Sequence, residues 1–340
     1  MSALQDIPEQ VFVPAFERLL ADQHPIALAR NAVRSDGSLN PQAMRLWRAL
    51  HDGGWLDIGG EAMREEVRPE LLPMGEASGR CLLSVPLAFS ALVLAPLLEA
   101  APDLDDGLLA APLGTALASG RIDLAAASDP LFFDYYGDAA GYYQLARKDG
   151  SWVLRRLVAA SPALAGMDAG VPVLALSGGD ALVGAERPLA LDTHAVLRGL
   201  HPFFVFQYGH LLGAAGAALD CAIAYAKERR QFGRAIGEFQ GVKHALANAW
   251  VALDNARYAA DALAQWNGDV NELAKLIALT DRLVSAGAKL ATRVTVQVHG
   301  GIGFAWEHDA HLYLKRVYKT AAQMTHLASQ VAWVEPDAAP

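Results

Sequence analysis

The chain has 340 residues, of which 53% are hydrophobic and 19% charged, and a formal net charge of -9. This length and apolar content bury a large core and argue against a disordered polymer. The acidic balance argues against nucleic acid as a partner, because that surface needs a surplus of Lys and Arg on one face. The two cysteines, Cys81 and Cys221, offer neither a disulfide framework nor metal-ligand spacing, so no metal site is expected and both read as core residues. The opening MSALQDIPEQ lacks the basic stretch and apolar run of a secretion signal, and a cytoplasmic location is the expectation.

In chain order, the first 115 or so residues carry helical periodicity. Phe12, Phe16, Leu19 and Leu20 form one apolar stripe, and Ala43, Leu46, Trp47 and Leu50 another. Residues 81–98 are uncharged and just reach the length of a membrane span, but Pro86 and Pro96 interrupt them. The flanking Arg80 and Glu99 give no basic asymmetry, so a buried helix pair is expected and no membrane. Between about 120 and 190, short runs such as residues 142–145 and 152–154 are bounded by turn residues. Lys148, Asp149 and Gly150 between those runs predict a hairpin.

From about 191 the pattern is helical again. Phe239, Val242, Leu246, Ala249, Leu253, Ala256, Ala260 and Leu263 line one face of a long helix, and residues 273–298 repeat the rhythm. Asp269 and Glu272 open that second helix in capping-box spacing, and Gly300 and Gly301 stop it. The small residues 213–218 permit close helix packing. The fold class is therefore mainly α with a small β domain. It divides into an N-terminal helical domain (1–117), a reduced middle β domain (118–190) and a C-terminal helical bundle (191–340).

Two segments are more specific than periodicity: residues 225–240, YAKERRQFGRAIGEFQ, and residues 297–309, QVHGGIGFAWEHD. Arg229 and Arg230, read as the end of a helix, present guanidinium forks suited to phosphate. Gln231 and Gln240 offer amides, and Phe232 an apolar surface for a ring. Gly300, Gly301 and Gly303 let backbone approach a ligand and expose N–H groups to an anion. These segments resemble the two C-terminal signatures of acyl-CoA dehydrogenases, strongly over about 210–316 and plausibly, by order of domains, over the whole chain. The resemblance implies an acyl-CoA dehydrogenase fold with a C-terminal four-helix bundle. It further implies that Arg229, Gln231, Phe232 and Gln240, with Gln297, Gly300 and Gly301, hold the ADP half of an FAD shared with a neighbouring subunit.

The family's chemistry needs a carboxylate base, just beyond the second signature or at the start of the first bundle helix. Here residues 319–330, KTAAQMTHLASQ, and 201–210, HPFFVFQYGH, contain none, and the Glu-Gly-Thr-like turn of many relatives is missing. His201 and His210 are the weak substitutes, since imidazole titrates near neutrality. Glu307 and Asp309 read as a helix start after Phe304. In place of the relatives' Thr-Glu-Pro-like segment stands AASDP at 126–130, followed by Phe132, a core residue in this reading, and Asp134, whose charge would oppose a reduced flavin.

These departures resemble the shorter subunit of bacterial heteromeric dehydrogenases of the steroid side-chain degradation type. The implied activity is FAD-dependent α,β-desaturation of an acyl-CoA in lipid metabolism. A longer homologous subunit would supply the base, in a heterotetramer, with electron-transfer flavoprotein as a possible acceptor. Two alternatives stay open: a self-sufficient homo-oligomeric dehydrogenase with an unconventional base, and a non-enzymatic structural relative.

Overall fold

Helical spacing of apolar residues sets the first elements of the computed structural model. It describes residues 11–34, 37–101, 108–109, 112–125, 131–136, 140–159, 163–168, 170–176 and 181–331. Helix α1 spans Phe12–Gln23 and α2 spans Pro41–Asp52. Phe16, Leu20, Ala43, Leu46, Trp47 and Leu50 are all buried, as residues that share one helix face must be to form a core. Helix α2 starts where the Asn40 side chain accepts from Gln42 N–H and Pro41 takes the first turn, a position that needs no donor.

Helices α3 (Arg64–Val67), α4 (Leu71–Arg80), α5 (Leu87–Phe89) and α6 (Ala95–Ala100) follow. The uncharged stretch after Arg80 is not a helix pair. Instead, α5 and α6 run through a π-helical turn at Ser90–Leu94 into one irregular helix. Pro96 lacks an N–H and its ring crowds the carbonyl four residues earlier, and the widened turn ahead of it absorbs both effects. Leu87, Phe89, Leu92, Val93 and Leu94 are buried within the chain.

The strands that follow among the described residues are β1 (Leu117–Asp123), β2 (Leu131–Asp134), β3 (Ala140–Lys148), β4 (Ser151–Ala159), β5 (Ala163–Ala165), β6 (Val173–Leu176) and β7 (Ala181–Leu189). They form a four-stranded sheet, β1-β3-β4-β7, and a three-stranded sheet, β2-β6-β5. The expected hairpin is present, with Lys148 opposite Ser151 and with Asp149 and Gly150 at φ of 49° and 84°. Two consecutive positive φ values match the twist of a two-residue turn to that of its strands. Strand β1 lies parallel to β3, a pairing that hairpin signals do not predict. Residues 126–130 fall outside the described residues.

The bundle comprises α7 (Thr193–Glu228), α8 (Gln240–Ala264), α9 (Val270–His299) and α10 (Ala310–Val331). Helix α9 opens at Asp269, whose carboxylate accepts from Asn271 N–H, and stops at Gly300 with φ of 64°. Helix α7 is long and apolar enough to cross a membrane by length and composition, and 67% of its most apolar window is buried inside the chain. Its closest neighbour is α4, at two glycine pairs of matching spacing. A Cβ added to Gly79 would stand 2.0 Å from His210 O, and one added to Gly213 would stand 2.0 Å from Glu76 O. The two backbones therefore touch without side chains between them. Cys221 is exposed and Cys81 half-buried, so neither is the plain core residue read from composition.

A flavin-nucleotide corner and an apolar cavity

Helix α7 ends at Glu228, and Arg229 caps it with extended backbone. Only the first of the two arginines therefore closes the helix. Arg230 and Gln231 (β8) pair with Arg234 and Ala235 (β9) in a small hairpin. Its turn, Phe232 and Gly233, has φ of 51° and 81°. A left-handed Phe is an uncommon, strained choice, and here it leaves the Phe232 ring 93% exposed. Its edge meets Phe239 at 6.2 Å, and the Arg234 guanidinium lies 4.0 Å from the centre of that ring. Gln231 donates to Arg230 O, and Gln240 opens α8 at the surface.

The second segment begins with exposed Gln297 in the last turn of α9. A Cβ on Gly300 or Gly301 would meet nothing within 4 Å, so this backbone faces open space. Gly303 differs from both. It is buried, and a Cβ there would stand 3.0 Å from the His299 side chain and 3.1 Å from Val296 O, which makes it a packing residue rather than a ligand-facing one. The two segments adjoin: Tyr225 stacks on His299 with ring centres 4.5 Å apart, and His299 meets His308 at 4.4 Å. This contact lies one turn before Arg229 and directly before Gly300, so it sets the end of α7 beside the end of α9.

The expected helix start after Phe304 moves to Ala310, because Gly300–Phe304 forms a 3-10 turn. Arg30 holds the intervening loop by donating to Trp306 O, Glu307 O and the Asp309 carboxylate. Asp309 is thus an ion-pair partner. No group of three or more His, Cys, Asp or Glu able to hold a metal occurs among the described residues.

A cavity of about 590 Å³ lies between the strands, the α5 segment, α7 and α10, with Phe89, Phe132, Phe206 and Met324 among its walls. Phe132 is 45% exposed toward it while Phe133 is 1% exposed, so Phe133 and not Phe132 is the core residue. A charged network forms one side. Arg316 donates to the Asp168 carboxylate, to Leu82 O and Leu83 O at 2.9 and 2.8 Å, and to Ser84 Oγ at 3.2 Å. Lys319 donates to Asp134 at 3.1 Å and to Val171 O, and Gln323 donates to Asp134 at 2.8 Å. Asp134 is the one carboxylate among the described residues lining this cavity. It is already matched by a cation, which removes the bare charge expected from sequence. Burial would raise the Asp168 carboxyl, but Arg316 and Lys319 outweigh it and hold the group below the ordinary range.

Nine residues separate His201 from His210, two and a half helical turns, so they occupy opposite faces of α7. His210 borders the cavity, with Nδ1 2.9 Å from Ser78 Oγ. Burial, helped by Arg316 and Lys319, brings its pKa down to about 3, which makes it a weak proton acceptor at neutral pH. His201 turns away, with Nε2 2.8 Å from Leu263 O. Helix α10 continues unbroken through Val331. Reading by periodicity missed Arg316 and Lys319. Their signal was the placing of two cations three residues apart among the apolar positions of a helix.

These neutral histidines predict an acid limit to stability. His24 is held to about 4 by burial and then by Arg316. The unfolded chain protonates both groups near 6.5, whereas the folded chain waits until about 4 and 3. Stability is thus complete above pH 6.5 and falls as pH drops, by up to about 1.4 kcal/mol per pH unit for each histidine. Urea unfolding measured across this range should follow that slope. His24→Gln, which keeps an acceptor for Ser84 N–H, should flatten it.

Comparison with known proteins places this geometry. The family model for the acyl-CoA dehydrogenase C-terminal domain matches residues 206–327. Acyl-CoA dehydrogenase IpdE2 of Mycobacterium tuberculosis is 32% identical over 317 residues, which cover 89% of this chain and 88% of that protein. The chain belongs to the acyl-CoA dehydrogenase family. FAD is the cofactor of this acyl-CoA dehydrogenase. IpdE2 of Mycolicibacterium smegmatis is 36% identical over 147 residues, and the matched region spans 43% of this chain and 42% of that relative's length. The ChsE4-ChsE5 complex from Mycobacterium tuberculosis contains a chain of the same fold, with a TM-score of 0.66 at 18% identity over 95% of this chain and 94% of that one.

Proposed function

We propose that this acyl-CoA dehydrogenase is the subunit of a heteromer that clamps the ADP half of FAD and leaves the base to a partner. The reaction is α,β-desaturation of a CoA thioester. The observation that carries the reading is the Tyr225–His299 stack, which joins the two signature segments at one exposed corner. The residues there fit the nucleotide: a Cβ on Gly300 or Gly301 would enter open space, and Phe232 offers an uncovered ring.

Arg229 would hold the pyrophosphate, Gln231 and Gln240 would offer amides to the ribose or adenine edges, Phe232 would offer its ring, and Gln297 with the backbone of Gly300 and Gly301 would complete the clamp on the ADP half. Bound FAD supplies the hydride acceptor of the reaction. Among the described residues the cavity offers no free carboxylate to take the α-proton, since Asp134 is held by Lys319 and Gln323.

The partner and the substrate class rest on family type, and the location and domain bounds on sequence pattern. The partner is a longer homologous subunit in a heterotetramer, the substrate class is a bulky, steroid-side-chain type of acyl-CoA, and the acceptor is electron-transfer flavoprotein. The location is cytoplasmic, and the chain divides at 117 and 190. Coexpression with the longer homologous subunit tests the proposal. One flavin per two chains is expected, and Arg229→Ala should weaken flavin retention about tenfold or more through loss of a charged hydrogen bond. A homo-oligomer of this chain that oxidises acyl-CoA alone would refute the division of labour.

A further inference from the structure

A second cavity, of about 240 Å³, lies on the face of α7 that carries His201. Its walls come from α3 and the turn after it, from the first part of α7, and from the α8–α9 connection. Three arginines line it: Arg64 and Arg68 from the N-terminal helices and Arg198 from α7. None of the three has an ion pair or a side-chain hydrogen bond among the described residues. Among the described residues Glu65 is the one carboxylate on the wall, so the formal charge of that lining, with His201 neutral, is three minus one, or +2. Burial and then Arg68 hold His201 below its usual pKa. In a chain of net charge -9, this is a local reversal of sign. Cations gathered around a cavity in excess of its one carboxylate repel one another unless an anion joins them.

The other walls limit the anion's body. Trp266 stands over the buried His201 with ring centres 5.3 Å apart, and its indole N–H is already given to Asp269 O. Asn267 contributes an amide, and Gly59 and Gly268 contribute backbone. We propose that this cavity binds a phosphate group, carried by a small phosphomonoester with a planar ring, a nucleoside monophosphate in class. A tetrahedral dianion presents three oxygens to three guanidinium forks, which a carboxylate does not, and Trp266 supplies an apolar surface for the ring. The site lies apart from the flavin corner and does not depend on the function proposed above.

The test is calorimetric titration of the flavin-loaded protein with AMP, inorganic phosphate and adenosine at constant ionic strength. Saturable AMP binding is expected, absent for adenosine, and weakened about tenfold in Arg68→Ser. Glu65→Gln should tighten it, a gain that misfolding does not produce. Phosphate binding as tightly as AMP would assign the site to the phosphate group alone, and weaker phosphate binding would assign it to the nucleotide. Excess FAD should leave the binding unchanged, because competition would place the AMP at the flavin corner and overturn the proposal. Binding of adenosine equal to AMP, no binding of AMP or phosphate at about 10 mM, or equal binding by an Arg64→Ser, Arg68→Ser, Arg198→Ser triple variant would also overturn it.

Discussion

Replacing Arg316 with methionine is expected to destabilise the fold by about 4 kcal/mol. The side chain is 3% exposed, and its guanidinium serves four acceptors at once: the Asp168 carboxylate, Leu82 O, Leu83 O and Ser84 Oγ. Methionine fills the same space but leaves Asp168 charged and takes a donor from Leu82 O, which keeps Ser84 Oγ, and from Leu83 O, and an orphaned buried charge costs more than the pair contributes. Lys319, 3.9 Å from Asp168, moderates the loss. Urea unfolding at neutral pH measures it, and the double variant with Asp168→Leu should recover more than half.

The pH dependence supplies an independent check. The Asp168 carboxyl sits below its unfolded value when folded, so its stabilisation is present above about pH 4 and is lost as pH falls through the folded value. Arg316→Met should reduce that acid sensitivity as well as the stability at neutral pH.

Gly79→Val is expected to cost about 3 kcal/mol, read as a lower midpoint in the same experiment. At this crossing a Cβ would stand 2.0 Å from the carbonyl oxygen of His210 and 2.7 Å from Ala214 N. Both are backbone atoms of α7, so no side chain can move aside. The helices must separate, and the opposed Gly75 and Gly209 contacts loosen with them. Gly199→Ala in the same helix is the matched control. Nothing lies within 4 Å of the added carbon, so this change should stabilise by about 0.5–1 kcal/mol through helix propensity.

The fold was legible wherever a single period governed a segment. The stripes of α1 and α2, the turn at Asp149 and Gly150, and the stop at Gly300 all follow from local rules. Local rules fail where one element answers to another. The π turn before Pro96 and the parallel pairing of β1 with β3 were invisible because each depends on distant packing. At the flavin corner, residue types were readable, but orientation was not. Gly303 looks like its neighbours in sequence and packs against Val296 instead. Asp134 seemed a stray charge until Lys319 and Gln323, more than 180 residues later, were found beside it. The three arginines of the second cavity carried no signal, since Arg198 lies 130 residues beyond Arg68 and only folding brings them together.

The bare contact of α4 with α7 has a bearing on how this chain can be cut. One continuous apolar interior includes Phe16 and Trp47 near the start, Leu145 and Trp152 in the strands, and Val317 and Leu327 near the end. The α4 backbone meets the α7 backbone with no room for a Cβ at Gly75 or Gly79. A fragment bearing only the bundle would therefore expose a glycine-lined groove along its longest helix, with nothing of its own to fill it. The region matched by the family model, residues 206–327, thus shares its core with residues outside it.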